Sequence, residues 1–130
     1  MSPLINDTKK TILIVDDSWN TRQYLKNILE LNDFSIDEAG DGAEALKKID
    51  DVEPDCIMLD ILMPVMNGFE FLNAMRQNGK DIPVIIISAD IQQTTKSSCM
   101  ELGAKAFINK PAREDQIIAE IEKVLAIQQK

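Results

Sequence analysis

The residues with the greatest capacity for chemistry in this sequence are Asp16, Asp17, Asp60, Ser88 and Lys110, which together supply three carboxylates, a hydroxyl and an amine. Carboxylates drawn together repel one another and raise their own pKa values unless a cation joins them. The chain has no His, and its two cysteines, Cys56 and Cys99, lie 43 positions apart with no partner ligand nearby. An all-oxygen site of this kind favours a hard ion, Mg²⁺ before Ca²⁺, because so few protein ligands leave room for water. Three carboxylates at −3 then balance a divalent cation at +2 and Lys110 at +1. Such a site suits phosphoryl transfer, where the protein mainly positions groups and neutralises moving charge. A carboxylate nucleophile is already ionised at neutral pH, so the missing His is no obstacle. Asp60 is the best nucleophile of the set, with Asp16 and Asp17 holding the metal and Ser88 and Lys110 meeting the phosphoryl oxygens.

For these residues to meet, the elements carrying them must end at one place. Apolar runs precede each: Ile12 to Val15 before Asp16-Asp17, Cys56 to Leu59 before Asp60, Val84 to Ile87 before Ser88, and Ala106 to Ile108 before Asn109 and Lys110. The first three are continuous, as in strands covered on both faces. Phe34 to Ala39 alternates apolar and polar residues and suits an edge, as does the short fourth run. Between them lie helical stripes. Ser18 to Leu31 carries Leu25, Ile28 and Leu29 on one face behind Ser18 as N-cap. Ala45, Leu46 and Ile49 mark a second helix, and Phe69, Leu72 and Met75 a third after the turn-like Met66-Asn67-Gly68. Ile117, Ile121, Val124 and Leu125 mark the last. The segment Gln92 to Leu102 has no apolar stripe before Cys99, so the least stable helix is expected there.

Five strands alternating with five helices imply an α/β fold, a parallel sheet with helices on both faces. Ligands gather at the carboxyl ends of strands in such sheets, which is where the polar residues stand. Each alone has an ordinary reading as a loop, cap or surface residue, and Asp50-Asp51 reads as a solvated pair. Their joint placement after apolar strand interiors is what points to a site.

The 130 residues suffice for one domain. The formal net charge of −8 and the lack of clustered Lys and Arg argue against direct nucleic-acid binding or attachment to anionic membranes. The N-terminal segment lacks an apolar signal core and no run is long enough to cross a bilayer, so the expectation is a cytoplasmic protein.

Along nearly its whole length the chain resembles the receiver domain of two-component response regulators. The resemblance is carried by Ile14-Val15-Asp16-Asp17, by Asp60-Ile61-Leu62-Met63-Pro64 with Met66-Asn67-Gly68, by Ser88-Ala89, by Gly103-Ala104 and by Lys110-Pro111. It implies a flavodoxin-like (βα)5 sandwich with sheet order 2-1-3-4-5, a receiver over 11–130 and an N-terminal extension over 1–10. It implies that Asp60 is phosphorylated by a histidine kinase or phosphotransfer protein and that Asp16 and Asp17 bind Mg²⁺, with the Leu62 backbone carbonyl as a further ligand. Ser88 matches the switch hydroxyl, Phe107 the aromatic switch position, Lys110 the phosphate-pairing lysine, and Lys110-Pro111 a cis peptide. Ser88 stands for a commoner Thr, Asn67 for a frequent Asp, and Phe107 lacks a Tyr hydroxyl. Leu62 and Asp90, two beyond Asp60 and Ser88, look like modulators of phosphoryl lifetime.

The resulting expectation is a switch that catalyses only its own phosphorylation and dephosphorylation. Phosphorylated Asp60 would draw Ser88 and Lys110 inward, Phe107 would turn in, and the face of the last two helices and last strand would change to control a downstream protein. Such a protein would be a monomer or a phosphorylation-dependent dimer. Two other readings stand beside it. A phosphorylation-independent receiver-like interaction module would be expected to lack the acidic triad or the lysine. A phosphohydrolase would want an acid/base residue where Leu62 stands.

Overall fold

A computed structural model of the chain describes residues 9–128. The expected extension 1–10 lies outside the described residues except for Lys9 and Lys10. Five strands alternate with five helices: β1 (Thr11–Val15), α1 (Trp19–Leu31), β2 (Ser35–Ala39), α2 (Gly42–Val52), β3 (Cys56–Leu59), α3 (Gly68–Gln77), β4 (Val84–Ser88), α4 (Gln93–Glu101), β5 (Ala106–Asn109) and α5 (Glu114–Gln128). The strands form one sheet in the order β2-β1-β3-β4-β5, every pairing parallel. Two-sided burial explains the continuous apolar runs of the inner strands, since β1, β3 and β4 alternate their side chains between two cores. Ile12, Ile14, Met58 and Ile85 pack with Leu25, Ile28 and Leu29 of α1 and Ile117, Ile121 and Val124 of α5. Leu13, Val15, Ile57, Leu59 and Ile86 pack with Ala45 and Ile49 of α2, Phe71, Leu72 and Met75 of α3, and Cys99 of α4. β2, at the edge, buries only Ala39.

Capping chemistry fixes where the helices start. The Ser18 hydroxyl accepts from the Thr21 N–H and begins α1. Asp41 does the same for α2 through the Glu44 N–H at 2.8 Å. Asn67 heads α3 in a capping box: its side chain accepts from the Glu70 N–H, and Glu70 Oε1 accepts from the Asn67 N–H, both at 2.9 Å. The segment read from sequence as a turn is therefore also a helix start. α4 differs from the other capped helices. Gln92 makes no side-chain cap and only Thr95 and Cys99 are buried, as the missing apolar stripe led one to expect. Among the described residues no helix is long and apolar enough to cross a membrane.

Candidate functional site

The parallel register brings the strand tips together. Val15 of β1 is paired with both Ala39 of β2 and Leu59 of β3, so Asp16 and Asp60, each the next residue, leave the sheet side by side. The Asp60 N–H donates to the Val15 carbonyl at 2.9 Å and the Asp16 N–H to the Ala39 carbonyl at 3.1 Å, which locks both backbones to the sheet edge. Asp16 and Asp60 are buried, while Asp17, one residue further out, is exposed. One carboxylate oxygen from each of the three lies within 4.8 Å of the others.

Lys110 reaches this cluster from the end of β5. Its Nζ lies 3.1 Å from Asp16 Oδ2 and 3.6 Å from Asp60 Oδ2. The Lys110 N–H donates to the Ser88 carbonyl at 2.8 Å, and the Lys110–Pro111 peptide is cis. The Ser18 N–H donates to Asp16 Oδ1 at 2.9 Å. The Leu62 N–H approaches Asp60 Oδ1 at 3.4 Å, so the chain after Asp60 folds back over it while the Leu62 side chain stays exposed. Gly68 makes that fold possible. A Cβ there would stand 2.8 Å from the Asp60 carbonyl oxygen and 2.6 Å from Ile61 Cδ1.

Electrostatics mark Asp60 out. Burial raises its carboxyl above the ordinary aspartate value, the Asp16 charge raises it further, Lys110 and the Leu62 N–H pull it down, and Asp17 adds a smaller push upward. Three carboxylates against one ammonium leave negative charge that the protein itself does not neutralise. The donor set, all carboxylate oxygen with one exposed member, fits a hard divalent cation in contact with water.

The other sequence-chosen residues surround this pocket without all facing it. Ser88 is fully buried at the tip of β4, and its hydroxyl accepts from the Asp90 N–H at 3.1 Å. Phe107 is half-buried on β5 and packs against the core shared with α2, α3 and α4. Asp90 has a definite task. Its Oδ1 accepts from the Gln92 N–H at 2.9 Å and its Oδ2 from the Thr95 hydroxyl at 2.7 Å, replacing the cap that Gln92 does not provide. Arg22 was not singled out from sequence at all, yet its Nη1 donates to the Asp16 carbonyl at 2.6 Å. Its place one turn beyond the Ser18 cap was the available signal, since a residue there faces back toward the tip of β1. Cys56, by contrast, is sealed in the core, where burial pushes its thiol up to about 12, consistent with a packing role.

Comparison with known proteins adds an independent line. The family described as response regulator receiver domain matches residues 12–122. The chemotaxis protein CheY of Listeria monocytogenes is 42% identical over 113 residues, spanning 86% of this chain and 95% of its own length. Among solved structures, the chemotaxis protein CheY4 of Vibrio cholerae superposes with a TM-score of 0.84 at 30% identity, covering 90% of this chain and 99% of that one. A CheY-like receiver domain protein of Methanospirillum hungatei superposes with a TM-score of 0.88 at 27% identity, covering 94% and 98%.

Proposed function

This chain belongs to the response regulator receiver domain family, the signalling switch of two-component systems, and from that premise we propose that Asp60 is its phosphoryl acceptor in a Mg²⁺-dependent reaction. One observation carries the reading: the buried Asp60 carboxylate sits within 4.8 Å of two others and 3.6 Å from the Lys110 ammonium, at the open end of the sheet. Asp16, Asp17 and Asp60 would hold the cation, with the Leu62 carbonyl as the further ligand that the family resemblance implies. When bound, Mg²⁺ supplies positive charge that neutralises the carboxylates and the oxygens of the incoming phosphoryl group.

The chain's own groups account for the rest. An Asp60 carboxylate oxygen attacks phosphorus, a new P–O bond forms, and the donor's bond to phosphorus breaks, with the donor leaving on its own electron pair. Lys110, whose ammonium carries three donors and already lies between Asp16 and Asp60, then pairs with the phosphoryl oxygens. Ser88 supplies a hydroxyl once it releases the Asp90 N–H. The donor is a histidine kinase or phosphotransfer protein. The reaction ends on the chain itself, so the protein is a switch and not an enzyme acting on free substrates.

Output follows from the weak anchoring of α4. Asp90 links the Ser88 hydroxyl, through its own N–H, to the first turn of α4, through its carboxylate. Withdrawal of Ser88 therefore loosens the polar tether at the first turn of that helix, and Phe107, half-buried beside it, gains room to turn inward. The surface of α4, β5 and α5 is the face that changes and on which a downstream protein docks.

The test is incubation with Mg²⁺ and acetyl phosphate, followed by intact mass. One phosphoryl adduct is expected on the native protein, absent without Mg²⁺ and absent in Asp60→Asn. No adduct on folded native protein would instead favour an interaction module that works without phosphorylation. Sustained release of phosphate from assorted esters would favour a hydrolase.

A further inference from the structure

Arg22, one turn into α1, bridges two elements at the edge of the acidic pocket. Its Nη1 donates to the Asp16 backbone carbonyl at 2.6 Å and its Nε to Glu38 Oε1 at 2.9 Å, and its side chain is only 16% exposed. Glu38 on β2 also accepts from Gln23 Nε2 at 3.4 Å and lies 3.8 Å from Lys26 Nζ. One carboxylate thus gathers three donors from α1.

Asp16 is consequently held at four points. Its N–H bonds to β2, its carbonyl accepts from Arg22, its Oδ1 accepts from the Ser18 N–H and its Oδ2 from the Lys110 ammonium. The carbonyl belongs to the Asp16–Asp17 peptide, so fixing its direction fixes the plane from which Asp17 departs. Asp17 is exposed and takes its aim from that backbone. A guanidinium presents several donors in a rigid fork, so a single side chain spans both acceptors in a way a lysine ammonium does not reproduce. Glu38 neutralises the guanidinium locally. What Arg22 contributes to the pocket is therefore orientation rather than charge.

We propose that Arg22 is a positioning residue for the acidic pocket, clamping the Asp16–Asp17 peptide to β2 through Glu38 and so preorganising the pair of carboxylates for a divalent cation. The inference rests on the metal-binding reading of the pocket, and two measurements keep the two apart. Amide hydrogen exchange on metal-free protein reads the clamp directly. Calorimetric titration with Mg²⁺ reads its consequence. Both are run on native protein, Arg22→Ala, Arg22→Lys and Asp55→Ala. The last is a control at the far end of β1 from Asp16, where Asp55, just before β3, accepts through Oδ2 from the Thr11 N–H at 2.8 Å.

Arg22→Ala is expected to speed exchange at the Asp16 and Ser18 amides several-fold and to weaken Mg²⁺ binding about tenfold, the scale on which groups behind a metal ligand act. Arg22→Lys should recover only part of both. Asp55→Ala should leave the Ser18 amide and the Mg²⁺ affinity as in the native protein even though it lowers Tm. Native-like exchange and affinity in either folded Arg22 variant would overturn the proposal, and so would equal losses in Asp55→Ala. If native protein bound no Mg²⁺, the metal reading would fail, while the exchange comparison would still decide the clamp.

Discussion

Asp60 carries a charge that its surroundings resist. Burial and the Asp16 carboxylate raise its pKa, and Lys110 and the Leu62 N–H offset this only in part. A carboxyl raised above its unfolded value stabilises the fold below the ordinary aspartate pKa and loses that contribution as pH climbs through the raised value. At neutral pH without metal, Asp60 is thus a destabilising residue. Asp60→Asn should raise the metal-free Tm at pH 7 by roughly 3–5 °C, or ~1 kcal/mol for a domain of this size. The gap should close as pH falls below ~3.9, where the native carboxyl is protonated in both states. A melting series from pH 3 to 8 reads both, and equal Tm values at pH 7 would mean that Lys110 already compensates in full. Val65 is a second residue under strain, with φ of 68° and a side chain 82% exposed. A β-branched residue is disfavoured in the left-handed region, at a cost of roughly 1–2 kcal/mol. Because little burial is lost with its side chain, Val65→Gly should gain about 1 kcal/mol in urea denaturation.

Among the elements, the junction of β3 and α3 is where packing and chemistry meet. Gly68 lets the helix start lie directly against the Asp60 carbonyl, and the Asn67–Glu70 capping box holds that start in place. Gly68→Ala would force a methyl against backbone at 2.8 Å, which should cost about 1–3 kcal/mol in chemical denaturation. It should also slow the acetyl phosphate reaction, since the atom pushed belongs to Asp60. A slow reaction without lost stability would place the effect elsewhere. At α4 the governing group is Asp90, whose carboxyl is held below the ordinary value by the Gln92 N–H and then the Thr95 hydroxyl. Its contribution is present above the ordinary aspartate pKa and is lost as pH falls through the depressed value. Asp90→Ala should therefore speed amide exchange in the first turn of α4 several-fold near neutral pH. Thermal melts should separate native and variant at neutral pH and bring them together in acid. Sequence marked this helix as weakly anchored from its missing apolar stripe, but a polar tether leaves no periodic trace and Asp90 stood out only by its distance from Ser88.

Across the whole molecule, the sheet holds three carboxylates against their own repulsion, so a cation that joins them should stabilise the entire fold. At ten times its Kd, Mg²⁺ should add about 1.4 kcal/mol, and chelation should remove it. Scanning calorimetry with MgCl₂ or EDTA checks this, with Asp17→Asn expected to lose most of the gain. Local features of the sequence determined the class and nearly every element. Continuous apolar runs of four residues meant strands covered on both faces, Leu25, Ile28 and Leu29 meant one face of α1, and Ser18 meant its start, because periodicity and capping are written within a few positions. Of the polar residues after the strands, Asp16, Asp17, Asp60 and Lys110 meet at the pocket, while the Ser88 hydroxyl turns to the Asp90 N–H. Only the tertiary structure decided how they meet. The parallel register sets Asp16 beside Asp60, Lys110 reaches Asp16 across 94 positions, and Arg22 finds Glu38 from another element. Those contacts depend on how separate strands and helices align in space, and no short stretch of chain records that alignment.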